Sequence, residues 1–189
     1  MFVITTGTLD VGTTVLASAN TTDKSTGIVT ETGGAIRIFA NRDVNVNESR
    51  VMTFQGGDIV VWSDLGNINA GKGEKTAVNA GRPQYVDNKD GTYSLKPSTP
   101  PLGSGIRAVT YPSDENTPAP PAGDIFLFAP QGVIDAGEAG ISGSNVILGA
   151  TAILNASNIS FTTGSVGLPA ASQGISLGAL AVPLAGLRG

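Results

Sequence analysis

The sequence predicts an all-β fold, a parallel β-helix whose windings stack on one another, and three observations carry that reading. First, a unit repeats without a gap: Gly57-Asp58-Ile59-Val60-Val61-Trp62-Ser63-Asp64-Leu65-Gly66-Asn67-Ile68-Asn69-Ala70-Gly71 aligns on Gly123-Asp124-Ile125-Phe126-Leu127-Phe128-Ala129-Pro130-Gln131-Gly132-Val133-Ile134-Asp135-Ala136-Gly137. Second, apolar residues alternate within it, with Ile59, Val61 and Ile68 on one face and Ile125, Leu127 and Ile134 likewise. That is strand periodicity. Third, Gly and Asn recur at the corners, where tight turns demand a backbone that other residues avoid.

Shorter echoes extend the pattern. Gly34-Ala35-Ile36-Arg37-Ile38-Phe39-Ala40 repeats the first half of the unit, as does Ser144-Asn145-Val146-Ile147-Leu148-Gly149-Ala150. After a one-residue deletion, Leu154-Asn155-Ala156 is expected to match Ile134-Asp135-Ala136. Gly34 to Gly57 is a step of 23 residues, and Gly123 to Ser144 one of 21. A period of that size holding only strands and turns fits one winding, and the chain holds roughly six. A leucine-rich repeat needs a fixed Leu pattern that is absent, and a sandwich would not repeat its corners in register. Ile59 and Ile125 should therefore share one interior file, and Phe39, Trp62 and Phe128 one aromatic column.

The step from Gly57 to Gly123 is 66 residues, about 45 more than a winding needs. Between Lys72 and Ala122 lie eight of the eleven prolines and all three tyrosines. This composition predicts an extrahelical insertion. Within it, residues 84–95 read as a β-hairpin turning near Asp90-Gly91, followed by an extended Pro-rich tract. The expected organisation is β-helix over 1–71, insertion over 72–122, β-helix again over 123–169, and a cap or tail over 170–189.

The 189 residues carry a net charge of −4 and contain neither His nor Cys. The missing residues exclude thiolate or imidazole metal centres and Ser-His-Asp or Cys-His nucleophiles, so no metal or cofactor is expected. Sparse charge argues against a helical bundle, and the acidic balance without a basic run argues against nucleic acid. The start, Met1-Phe2-Val3-Ile4-Thr5-Thr6, does not read as a signal peptide. The most apolar stretch, Ile175 to Leu187, is broken by Gly178, Pro183 and Gly186 and is no membrane span. A soluble chain, or an internal piece of a longer one, is expected.

Asp58 and Asp124 fall at matched positions, with Asn145 next. In adjacent windings their carboxylates would stand ~5 Å apart, the spacing of a retaining glycosidase pair. An Asx ladder capping backbone amides uses the same residues, and Asn69, Asp135 and Asn155 read the same way. Catalysis is therefore not expected. Lys72, Lys75, Arg82 and Arg107 flank the insertion, as anion ligands or as a solvated rim. Tyr85, Tyr93 and Tyr111 offer apolar faces to sugars, or pin the insertion to the wall.

Gly56-Gly57-Asp58-Ile59-Val60-Val61-Trp62-Ser63, Gly71-Lys72-Gly73-Glu74-Lys75-Thr76, Phe128-Ala129-Pro130-Gln131-Gly132 and Ile134-Asp135-Ala136-Gly137-Glu138-Ala139-Gly140-Ile141 together resemble the C-terminal region of filamentous-haemagglutinin-family exoproteins. Leu154-Asn155-Ala156-Ser157-Asn158-Ile159 and Ser165-Val166-Gly167-Leu168-Pro169 continue the likeness, over about residues 33–169. The resemblance implies a right-handed β-helix in a large secreted or cell-surface bacterial protein, exported through an outer-membrane transporter. It also implies an adhesive or stalk role. Its partners would be host or neighbouring-cell glycans and proteins, or its own copies in a fibre. A self-assembling filament subunit and a carbohydrate-active enzyme using Asp58 and Asp124 are the alternatives.

Overall fold

The computed structural model describes residues 1–12, 27–73, 84–87, 89–96, 103–112 and 118–168. Its strands are β1 (Phe2–Thr5), β2 (Leu9–Asp10), β3 (Ile28–Thr30), β4 (Ile36–Ala40), β5 (Val44–Asn45), β6 (Arg50–Phe54), β7 (Ile59–Ser63), β8 (Ile68–Asn69), β9 (Gln84–Asp87), β10 (Tyr93–Lys96), β11 (Gly105–Val109), β12 (Ile125–Asp135), β13 (Ile141–Leu154) and β14 (Ile159–Val166). A 3₁₀ turn at Ala156–Asn158 separates the last two. Twelve strands form one sheet, and every recorded pairing within it is parallel. The fold is all-β, with the sheet curled as in a β-helix.

The curl follows from the corners. Each short strand ends at a bend instead of a hairpin, so the chain visits three walls in turn. The first wall stacks β1, β4, β7, the start of β12 and the middle of β13. The second stacks β2, β5, β8 and the ends of β12 and β13. The third stacks β3, β6, β11 and the starts of β13 and β14.

Alternation then assigns the side chains. Ile36, Ile59, Ile125 and Val146 form one inward file of register partners, and Val44, Ile68, Ile134 and Ile153 form another. On the third wall Ile28, Val51, Ile106, Ile141 and Ile159 do the same. Ile36, Ile59, Ile125, Ile68, Ile134 and Ile106 are completely buried. Each such side chain contributes about 1.5–3 kcal/mol relative to an exposed one. Ile59 and Ile125 are register partners, as the repeat predicts.

Stacked corners explain the glycine content. A Cβ on Gly57 would collide with the Gly34 carbonyl, one on Gly123 with that of Gly57, one on Gly132 with that of Gly66, and one on Gly137 with that of Gly71. Backbone packs on backbone at these positions. Gly71 adds a φ of +100°, which L-residues rarely adopt.

Two expectations need correction. Leu154 does not stack on Ile134; Ile153 does, and Leu154 pairs with Asp135 and stands half exposed. The register shifts between Ala129 and Val133, because β13 crosses in two steps (Ala150 to Ala152) a corner that takes β12 four. Two residues are thus missing from that winding, not one. The second correction concerns 72–122, expected to lie wholly outside the helix. Gly105–Val109 within it is β11, seated in the wall against β6 and β13. Gly73 and Ser104, which bracket β9 and β10 in sequence, meet: a Cβ on Gly73 would strike the Ser104 hydroxyl, which itself donates to the Glu48 carbonyl at 2.7 Å. Between them, β9 and β10 form a separate antiparallel hairpin. The expected cap or tail over 170–189 lies outside the described residues.

Gly123→Ala should lower the unfolding free energy by more than ~2 kcal/mol, because only a shift of backbone relieves the clash. Gly7→Ala, with open space around the new methyl, should change it by less than ~0.5 kcal/mol. Denaturant titration followed by Trp62 fluorescence compares the two.

Candidate functional site

Three exterior features are placed by this register. The first is a set of Asx ladders at the corners. Asp58 Oδ1 accepts the Asp124 backbone N–H at 2.9 Å, and Asp124 Oδ1 accepts the Asn145 N–H at 3.0 Å and its side-chain Nδ2–H at 2.9 Å. Asp43 Oδ1 does the same for Asn67, and Asn67 Oδ1 accepts from the Val133 N–H. Asn69 and Asp135 each take the N–H two residues on, at Gly71 and Gly137, both at 2.8 Å. Asn155 donates to Asp135 at 2.7 Å. Asp43, Asp58, Asn67, Asn69, Asp124 and Asp135 therefore cap backbone donors that a tight corner would leave unpaired. Asp58 and Asp124 are joined through a backbone amide, the ladder geometry and not that of two facing carboxylates.

The ladders flank a groove of about 400 Å³ on the second wall, lined by Asp43, Asn45, Asn67, Asn69, Asp135 and Leu154 among others. Sequence reading passed over Asp43, Asn45 and Asn67 as site residues. The signal was present, since Asp43-Val44-Asn45 and Asn67-Ile68-Asn69 place two outward polar groups around one inward apolar residue.

The second feature is apolar. Phe39, Trp62 and Phe128 share an outward column on the first wall by register. Trp62 and Phe128 meet with ring centroids 5.7 Å apart at 40°, and Phe2 meets Phe39 at 5.5 Å. Phe2 and Ile4 are more than half exposed and Trp62 is 37 % exposed. Stacked rings on neighbouring strands add about 0.5–1.5 kcal/mol beyond their burial.

The third feature is the hairpin and its surroundings. Asp90 Oδ1 accepts from both the Thr92 amide, at 2.9 Å, and its hydroxyl, at 2.6 Å, closing the turn at the place expected. Those bonds, the hydroxyl first and then the amide, hold the Asp90 carboxyl below its usual pKa. Tyr93 on β10 is 69 % exposed. Tyr111 instead packs edge-on to Phe54, centroids 6.0 Å apart, while its carbonyl accepts from Gln55 Nε2 at 3.1 Å. It is pinned to the wall. Lys72 is exposed, and its amide donates to the Asn47 carbonyl. Tyr85 lies on β9, and no side-chain environment is described for it. Lys75 and Arg82 lie outside the described residues. Of the six expected binding residues, Lys72, Tyr93 and Tyr111 are the ones with described side-chain surroundings. Among the described residues no three acidic side chains converge to hold a metal ion.

A family model described as "Filamentous haemagglutinin family outer membrane protein" matches residues 56–170. The chain belongs to this family. The match covers the repeat units at 57–71 and 123–137, the intervening hairpin and the β13 and β14 windings. No curated protein and no solved structure matches this haemagglutinin-family chain. The family's description sets it at the outer membrane.

Asp124→Ala should destabilise the chain by about 1–3 kcal/mol by stripping the acceptor from the half-buried Asn145 amide, whereas Asp124→Asn keeps an acceptor and should be close to neutral. Thermal unfolding of both variants measures this. Because the folded pKa of Asp90 is depressed, its carboxylate supports the turn above the ordinary carboxylate range and that support is lost as pH falls through it. The Thr92 amide resonance should shift with that titration, and Asp90→Asn should abolish the shift.

Proposed function

We propose that the chain is a structural and adhesive segment of a large secreted or cell-surface exoprotein, a right-handed β-helical stalk of about six windings. The excursion between Gly73 and Ser104 serves as its contact arm. The observation that carries this reading is the parallel pairing that joins the twelve strands of the main sheet, since windings of this kind bury little alone and gain a core by stacking. The corner carboxylates support it, since Oδ1 of Asp58 and of Asp124 is engaged in capping and a stalk asks no chemistry of them. Its partners are then surface glycans or proteins of a host or neighbouring cell, met after passage through an outer-membrane transporter. Tyr93, exposed on the hairpin with an apolar face and a polar tip, suits such a contact.

Beads coated with the purified chain should be retained on target cells. Replacing residues 84–96 by a Gly-Ser linker should cut retention by about tenfold while leaving thermal unfolding unchanged. Equal retention would remove the arm from the reading. Asp58→Asn with Asp124→Asn should leave retention intact, and loss of a polysaccharide-cleaving activity in that double variant would favour the enzyme instead.

One observation favours a second role, that of a self-assembling filament subunit. β1 pairs only with β4, and on its first-wall end β14 pairs only with β13, so each presents an open strand edge among the described residues. Light scattering across a dilution series should show mass rising with concentration if those edges join copies end to end.

A further inference from the structure

The geometry points to a preformed receptor for a single oxyanion, a carboxylate or a phosphate group, at Arg107 on the third wall. Arg107 stands on β11 beside a cavity of about 130 Å³, lined by its own side chain and by Ile141, Ser142, Ser157, Asn158 and Ser160. The site is assembled by register. Arg107 pairs with Ser142, and Ser142 with Ser160, so a guanidinium and two hydroxyls rise in one outward file at steps of ~4.8 Å. Ser157 and Asn158 come from the 3₁₀ turn that brings the chain round to β14.

The guanidinium is held, and no carboxylate of the described residues compensates its charge. Nε donates to the Ser104 carbonyl at 3.1 Å and Nη2 to the Ala139 carbonyl at 2.7 Å. These two bonds orient the fork and, among the described residues, leave three of its five N–H groups unspent. No carboxylate pairs with it among the described residues. Glu138, beside Ala139 in sequence, is exposed, and its backbone amide donates to the Gly71 carbonyl. Burial also pushes the Arg107 pKa down, as expected for a cation partly stripped of water and given no counter-charge. A half-buried charge in that state gains from any anion that reaches it.

The chemistry selects the ligand class. Guanidinium N–H groups bind carboxylate or phosphate oxygens in pairs, and serine hydroxyls rotate to donate to the remaining oxygens. A neutral sugar would leave the charge unanswered. A polyanion would meet a single cation at this cavity, on a chain of net charge −4 with no basic run to follow. The cavity admits one small oxyanion and its remaining water. This site does not depend on the adhesive reading.

The test titrates the full chain with sodium phosphate and, separately, sodium acetate at fixed ionic strength, following the Arg107 Nε–H and the Ser142 amide by NMR, with chloride as reference. Saturable shifts with phosphate, with acetate or with both support the site, and the preferred anion tells a phosphate source from a carboxylate source. Ser142→Ala with Ser160→Ala, outward positions whose loss leaves the interior intact, should weaken binding by about tenfold. Arg107→Gln should abolish it. Shifts that grow without saturation, that match those in chloride, or that are unchanged in the serine variant would overturn the inference.

Discussion

Ile36, Ile59, Ile125 and Val146 stand one above another because each winding pairs in parallel with the next, and a slip of one residue would turn all four outward. Interior and exterior chemistry both descend from that register. The same pairing that buries the isoleucines sets Phe39, Trp62 and Phe128 in an outer column and places Asp58 under Asp124. Corner glycines follow as well, since windings close enough to pair leave no volume for a Cβ where they turn.

The low charge content takes on a physical meaning in this setting. Asp and Asn at the corners are consumed by amides of the winding beside them, as at Asp43 with Asn67 and Asp124 with Asn145. The polar side chains that a surface normally spends on solvent are part of the frame here. Also on the exterior of the described residues are a hairpin bearing Tyr93, an aromatic wall, a groove between two ladders, and the Arg107 guanidinium beside its cavity.

Much of this was legible in the chain because a solenoid writes its long-range contacts as local repetition. Ile59 and Ile125 are 66 residues apart, yet the matching Gly-Asp-Ile openings of their units announce the contact. The Asx ladder was readable for the same reason. Gly105-Ile106-Arg107-Ala108-Val109 was not, because it lacks the Gly-Asp opening and follows a Pro-rich tract, so composition overrode its alternation. The short winding at Ala150–Ala152 misled by one residue, since a straightened corner deletes two positions where the Asx match suggested a single one. The cavity beside Arg107 draws on residues 107, 142 and 157–160, whose adjacency exists only after three windings have stacked.

The touching feet at Gly73 and Ser104 have an evolutionary corollary. A cassette whose two ends already meet can be lengthened, trimmed or exchanged without prising apart the scaffold beneath it. Doubling such a segment costs only about 0.6 kcal/mol of closure entropy. The hairpin of β9 and β10 could thus change in length or sequence while the register beneath it stays as it is.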